Sequence, residues 1–193
     1  MGDPRRLKKT YEGPRHPWQE ERMAVEKVLF RDYSLKNKRE LHKITSKAKT
    51  FTDIAKQLTA RTGNQADVER KQLFSVLHGF GLCGGSTNLD DVLGLGTKDL
   101  LERRLQTIVF RRGFARSMKQ ARQFIAHQHV SINGTIVTAP NYLVRVLEES
   151  QIAFVPTSAF AKDDHPERVP IVRKAKKPRP RPEGRDDRRR RRR

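Results

Sequence analysis

Residues Arg103 to Pro140 read RRLQTIVFRRGFARSMKQARQFIAHQHVSINGTIVTAP, and this stretch decides the fold. Leu101, Leu105 and Ile108 mark one face of a basic helix predicted over 98–112, with Arg104 and Arg111 seven apart on its flank. Gly113 stands where a left-handed helix cap is wanted. Ser117-Met118-Lys119-Gln120 fits a capping box that opens a second helix, with Ala121, Phe124 and Ile125 inward. At Val130 the pattern switches to period two. Val130-Ser131-Ile132, Asn133-Gly134 and Thr135-Ile136-Val137 spell a hairpin with a two-residue primed turn. Residues 144–146 and 151–155 supply two more short strands. The unit 103–155 is therefore expected to be helix, turn, helix and a small antiparallel sheet.

Upstream, the expectation is helical. Pro17 suits a first helical turn, so a helix is placed from Trp18, with Met23, Val25, Val28 and Leu29 as its apolar side. Leu41, Ile44, Ala48, Phe51, Ala55 and Leu58 recur every three or four residues, the stripe of an amphipathic helix over 39–61 whose outer face carries Lys43, Lys47, Lys49 and Lys56. A third helix over 66–78 places Leu73, Val76 and Leu77 inside, and a glycine-rich loop and a short helical turn over 88–94 follow. The fold class is α+β. A basic extended arm (1–17) precedes a helical body (18–100), the module (101–160) and a basic tail (161–193), which ends in six consecutive arginines.

Charge narrows the function. Of 193 residues, 42 are Lys or Arg and 22 are Asp or Glu, a formal net charge of +20. Residues 173–193 hold 13 basic and 3 acidic side chains, so the other 172 residues still carry half of the excess. Self-repulsion on that scale disfavours a compact free enzyme and is relieved by a polyanion. Within 20 positions cluster Arg103, Arg104, Arg111, Arg112, Arg116, Lys119 and Arg122, against the plain alternative of a solvated helical face. Ser117 and Asn133 are candidate polar or backbone contacts at the newly opened helix and the hairpin tip.

Chemistry of other kinds finds little support. H-E-x-x-H, G-x-S-x-G and the phosphate-cradling G-x-x-x-x-G-K-[ST] are all absent. Cys83 is the single cysteine, His127 and His129 lack further ligands nearby, and Asp90-Asp91 suits the first turn of a short helix. No enzyme, cofactor, metal, membrane span or homo-oligomer is expected, and the N-terminus does not read as a secretory signal.

Arg103-Arg104-Leu105, Arg112-Gly113-Phe114-Ala115-Arg116-Ser117, Ala121-Arg122-Gln123, Ile125, His129-Val130, Asn133-Gly134 and Pro140 together resemble the RNA-binding fold first defined in the small-subunit ribosomal protein "S-four" family. Pro17-Trp18-Gln19, Asn37-Lys38-Arg39-Glu40 and Leu101 to Thr107 resemble the archaeal and eukaryotic branch, and the resemblance spans roughly residues 5–165. Gln106 departs from the Asp of bacterial relatives, and Glu148-Glu149-Ser150 from their Pro-Gly-Asp. The cysteine zinc site of some bacterial members is absent. The resemblance implies a cytoplasmic ribosomal protein that contacts small-subunit ribosomal RNA (rRNA) early in assembly of the subunit body. It also implies neighbouring small-subunit proteins and an influence on decoding accuracy near the path by which messenger RNA enters. Two rivals use the same module: an RNA-modifying enzyme, for which the chain has no room, and an adaptor acting on stalled ribosomes, which would be little more than the module.

Overall fold

The computed structural model describes residues 9–84, 88–162 and 165–166, so the arginine tail and residues 1–8 lie outside it. The helices are α1 (Glu20–Tyr33), α2 (Lys38–Ala60), α3 (Asn64–Phe80), α4 (Leu89–Leu93), α5 (Thr97–Glu102), α6 (Leu105–Arg111), α7 (Met118–Ala126) and α8 (Val146–Glu149). Three short strands, β1 (Val130–Ile132), β2 (Thr135–Ile136) and β3 (Ile152–Phe154), form one antiparallel sheet in the order β2-β1-β3.

The apolar stripe of α2 organises the body. Leu41, Ile44 and Ala48 join Leu29, Tyr33, Leu35, Leu100 and Leu101 in one cluster, while Ala55 and Leu58 join Leu73, Leu77, Cys83 and Val92 in a second. A third cluster fills the module, where Leu105, Ile108, Val109, Phe124, Ile125, Val130 and Ile152 close around Val144. Met118 begins α7 yet belongs to the first body cluster, so the module is docked on the body through its own helix.

Several local expectations hold at atomic detail. Gly113 is left-handed (φ 77°), and the N–H groups of Gly113 and Phe114 close on the carbonyls of Phe110 and Val109, satisfying the end of α6. Ser117 Oγ accepts the Gln120 N–H at 3.2 Å and caps α7, while Gln120 Oε1 takes the Arg116 N–H and not that of Ser117, so only the serine half of the expected capping box forms. Asn133 (φ 53°) and Gly134 (φ 77°) make the primed turn of the β1–β2 hairpin.

Other expectations need correction. The helix placed over 98–112 is broken at Arg103–Arg104, because that backbone pairs with a downstream segment. Leu105 N–H bonds Tyr142 O at 2.8 Å, Val144 N–H bonds Arg103 O at 3.0 Å, and Arg104 bridges Leu143. The same pairing stops residues 144–146 from forming a sheet strand, and Val146 instead opens α8. On α1 the buried side is Glu26, Leu29 and Tyr33, whereas Val25 and Val28 face outward; on α3, Val76 is exposed too. Glu26 can sit inside because Arg22 and Lys38 both reach it.

Candidate nucleic-acid interface

The helix break that sequence patterning does not reveal sets the electrostatics of the module. It turns the Arg104 side chain inward, where its exposure is 0%. Arg104 is therefore withdrawn from the candidate contact residues: a guanidinium with no surface cannot meet a phosphate. Its Nη2 hydrogen-bonds Gln106 Oε1 at 3.1 Å and lies 3.6 Å from Glu40 Oε2 on α2. Among the described residues Nε and Nη1 have no hydrogen-bond partner. Burial pulls its pKa down to about 10, against the opposing pull of Glu40, so it is still a cation at neutral pH. Gln106 is matched to this role. Its amide accepts from Arg104 and donates to Met118 O at 2.8 Å, and an aspartate could not make the second bond.

Three glutamates, all outside the predicted contact set, hold Arg103, Arg111, Arg112 and Arg122. Glu40 also takes both terminal nitrogens of Arg122, in a two-point contact across the body–module seam. Burial raises the Glu40 carboxyl, but the hydrogen bonds and charge of Arg122, the Lys36 N–H and the charge of Arg104 outweigh it, so its pKa ends below the ordinary value. Glu149 receives Arg103 at 2.9 Å and lies 3.9 Å from Arg112 Nε. Glu102 holds Arg111 at 2.5 Å and accepts the Tyr33 hydroxyl at 2.6 Å. Glu102, Arg103, Ile108, Arg111, Arg112 and Glu149 line one open hollow.

This divides the predicted residues. Arg103 and Arg122 are largely engaged behind the surface; Arg103 also donates to Val144 O at 3.2 Å. Arg111 keeps 62% side-chain exposure despite its glutamate, and Arg112 keeps 35%. Arg116 is half-buried and donates to Pro166 O, and its own N–H bonds Gln120 Oε1 at 2.7 Å. Ser117, Lys119 and Asn133 are exposed. Arg111, Arg112, Arg116 and Lys119 thus border the Gly113–Ser117 turn, and Asn133 stands apart at the hairpin tip.

The remaining chemical candidates stay ordinary. Cys83 is buried, and that burial pushes its thiol pKa up, away from reactivity. Among the described residues no group of three or more His, Cys, Asp or Glu could hold a metal ion. His129 hydrogen-bonds Ser158 Oγ at 2.9 Å and meets Phe124 and Phe160 edge-on, a packing role. No helix among them is long and apolar enough to cross a membrane.

The S4 domain family model matches residues 103–150. Over 176 residues the chain is 47% identical to small ribosomal subunit protein uS4 of Methanococcus aeolicus, covering 91% of this chain and 99% of that relative. The protein of the same name from Methanococcus maripaludis (strain C5) is 47% identical over 173 residues, covering 89% and 97%. With the module in place and likeness at this level along nearly its whole length, the chain belongs to the family of small ribosomal subunit protein uS4.

Proposed function

We propose that this chain is a structural component of the small ribosomal subunit in the cytoplasm, and that it grips rRNA with the outward cations of its S4 module. The observation that carries this reading is the row Arg111, Arg112, Arg116 and Lys119 beside a capped helix start, on a module whose inner arginines are already neutralised. RNA duplexes hide their major groove from side chains, so such a surface reads the shape of a junction, its phosphates and its 2′-hydroxyls. Arg111 and Arg112 supply planar donors, Lys119 a point charge, and Ser117 and Asn133 polar or backbone contacts. Arg103 and Arg122 brace the surface from behind. As a rigid wedge bound early to a folded junction, the chain nucleates assembly of the subunit body. Beside neighbouring small-subunit proteins along the incoming messenger RNA, it contributes to decoding accuracy.

The test is affinity for a full-length small-subunit rRNA transcript as a function of salt. Six to ten neutralised phosphates should weaken binding roughly a thousandfold between about 50 and 200 mM. Arg112→Gln with Lys119→Gln should make the log–log slope shallower by about two, with the fold intact by circular dichroism. A flat salt dependence, or a double variant that binds like the parent, overturns the reading.

A further inference from the structure

Past β3 the chain stays on the module. Val155 N–H bonds His129 O at 3.0 Å, Ser158 N–H bonds Val155 O at 2.9 Å, and Ser158 then opens a single 3-10 turn over Ala159–Ala161. Its Oγ accepts the Phe160 N–H at 3.2 Å and lies 2.9 Å from His129 Nδ1, so the turn is fastened to the module at its start. The Phe160 ring, half-buried, has its centroid 4.5 Å from that of Phe124 on α7, 4.8 Å from His129 and 6.3 Å from Phe154. His165 lies against the same ring at 4.6 Å. Tilted and edge-on ring pairs of this kind are favourable beyond the area they bury. Phe160 is thus held by the module and in turn holds His165.

The next residue, Pro166, meets the cation row. Its carbonyl accepts Nη2 of Arg116. At the other end of that arginine, the backbone N–H is taken by Gln120 Oε1 at 2.7 Å. Arg116 is therefore held at backbone and head group alike, half-buried, beside the exposed Ser117. A carbonyl steadies a guanidinium without cancelling its charge. The planar fork can meet a carbonyl along one edge and a phosphate along another.

We infer that Phe160 is a positioning residue for RNA binding: it anchors the segment that follows β3, whose Pro166 carbonyl presets the Arg116 guanidinium for a phosphate. Phe160 acts through Arg116 and needs no contact with RNA of its own. The inference rests on the function proposed above and names what aims one of its cations. Without the anchor, Arg116 would have to be ordered at the moment of binding, and that ordering costs affinity.

The test is a double-mutant cycle on the full chain with a full-length small-subunit rRNA transcript. Phe160→Ala should lower affinity about two- to tenfold, the cost of ordering one long side chain on binding. It removes no charge, so its slope of log affinity against log salt should stay the parent's. Arg116→Gln should make that slope shallower by about one. In the Arg116→Gln background, Phe160→Ala should cost nothing more. Ser158→Ala loosens the same turn and leaves the aromatic cluster filled; it should show the same coupling to Arg116, and it stands in if Phe160→Ala fails to fold by circular dichroism. Equal losses from Phe160→Ala with and without Arg116 would give Phe160 a general structural role and overturn the inference. A Phe160→Ala chain that binds like the parent overturns it, as does one that binds tighter, which would mean that Pro166 masks Arg116. An Arg116→Gln chain with the parent's slope and affinity does the same. In each case a loss on Arg112→Gln with Lys119→Gln leaves the proposed function standing, and if that pair also binds like the parent, both fall.

Discussion

Glu40→Gln tests how far the Glu40 carboxylate contributes to holding body and module together. The substitution keeps the size of the side chain and one acceptor and removes the charge. Glu40 faces two guanidinium groups, the fully buried Arg104 and the two-point partner Arg122. With the carboxylate gone, Arg104 would keep only Gln106 as a partner among the described residues, and two of its nitrogens already lack one there. Removing one member of a buried ion pair costs about 3–5 kcal/mol. Arg122 is 24% exposed and can turn toward water, so the low end is expected, about 3 kcal/mol. For a chain of this size that is a fall in Tm of roughly 6–12 °C. The pH dependence carries a sign. Because the folded pKa of Glu40 lies below its ordinary value of 4.5, its stabilisation is present above pH 4.5 and is lost as pH falls through the folded value. The Tm gap between parent and variant should therefore be flat at neutral pH and narrow in acid. Calorimetry from pH 3 to 7 reads both. A gap under about 1 °C at pH 7, or one that survives unchanged at pH 3, would refute the argument that this charge closes the seam.

Two further outcomes follow from local geometry. Gly81 ends α3 at φ +63°, and a Cβ there would sit 2.8 Å from Val146 Cγ2. Gly81→Ala should cost about 1–3 kcal/mol in urea unfolding, and adding Val146→Ala should recover the steric share but not the backbone share; a loss below about 0.5 kcal/mol would contradict this. The Tyr33 hydroxyl is pushed up to about 12 by burial, then by its hydrogen bond to Glu102 and that carboxylate's charge, with Arg111 opposing. A raised folded pKa means stability is lost as pH climbs from about 10 toward 12. Tyr33→Phe should lack that alkaline loss, and a parent-like loss in the variant would sink the assignment.

The elements legible in the sequence are those whose cause is local. The Asn133-Gly134 turn, the Ser117 cap, the Gly113 stop and the three-and-four stripe of α2 each depend on residues within a turn or two of themselves, and each stands where the pattern puts it. The break between α5 and α6 has a distant cause. Residues 98–112 carry helical periodicity throughout, and only the arrival of Tyr142 to Val144 takes the backbone of Arg103 and Arg104 out of the helix. On α1 the error is of another type. Burial of apolar residues is a one-way rule, so Val25 and Val28 can remain outside once Arg22 and Lys38 make Glu26 tolerable within.

The same distinction explains why the cation cluster was visible as a group but not residue by residue. Charge in a sequence has a sign and no direction. The direction comes from Glu40, Glu102 and Glu149, which lie far along the chain from several of the arginines they hold. Each takes a cation from the module, and the outcome depends on depth. At Arg104 the acid makes burial tolerable, whereas at Arg111 it steadies a side chain that is still mostly in solvent. A free arginine gives up about 2 kcal/mol of rotamer entropy when it is ordered. One already steadied by a carboxylate gives up less on meeting a phosphate, and its remaining N–H donors are free to bind. The glutamates in this basic surface thus do not weaken the grip as their charge alone would suggest. They separate the arginines held inside the fold from those left in solvent, where the proposed function has them meet RNA.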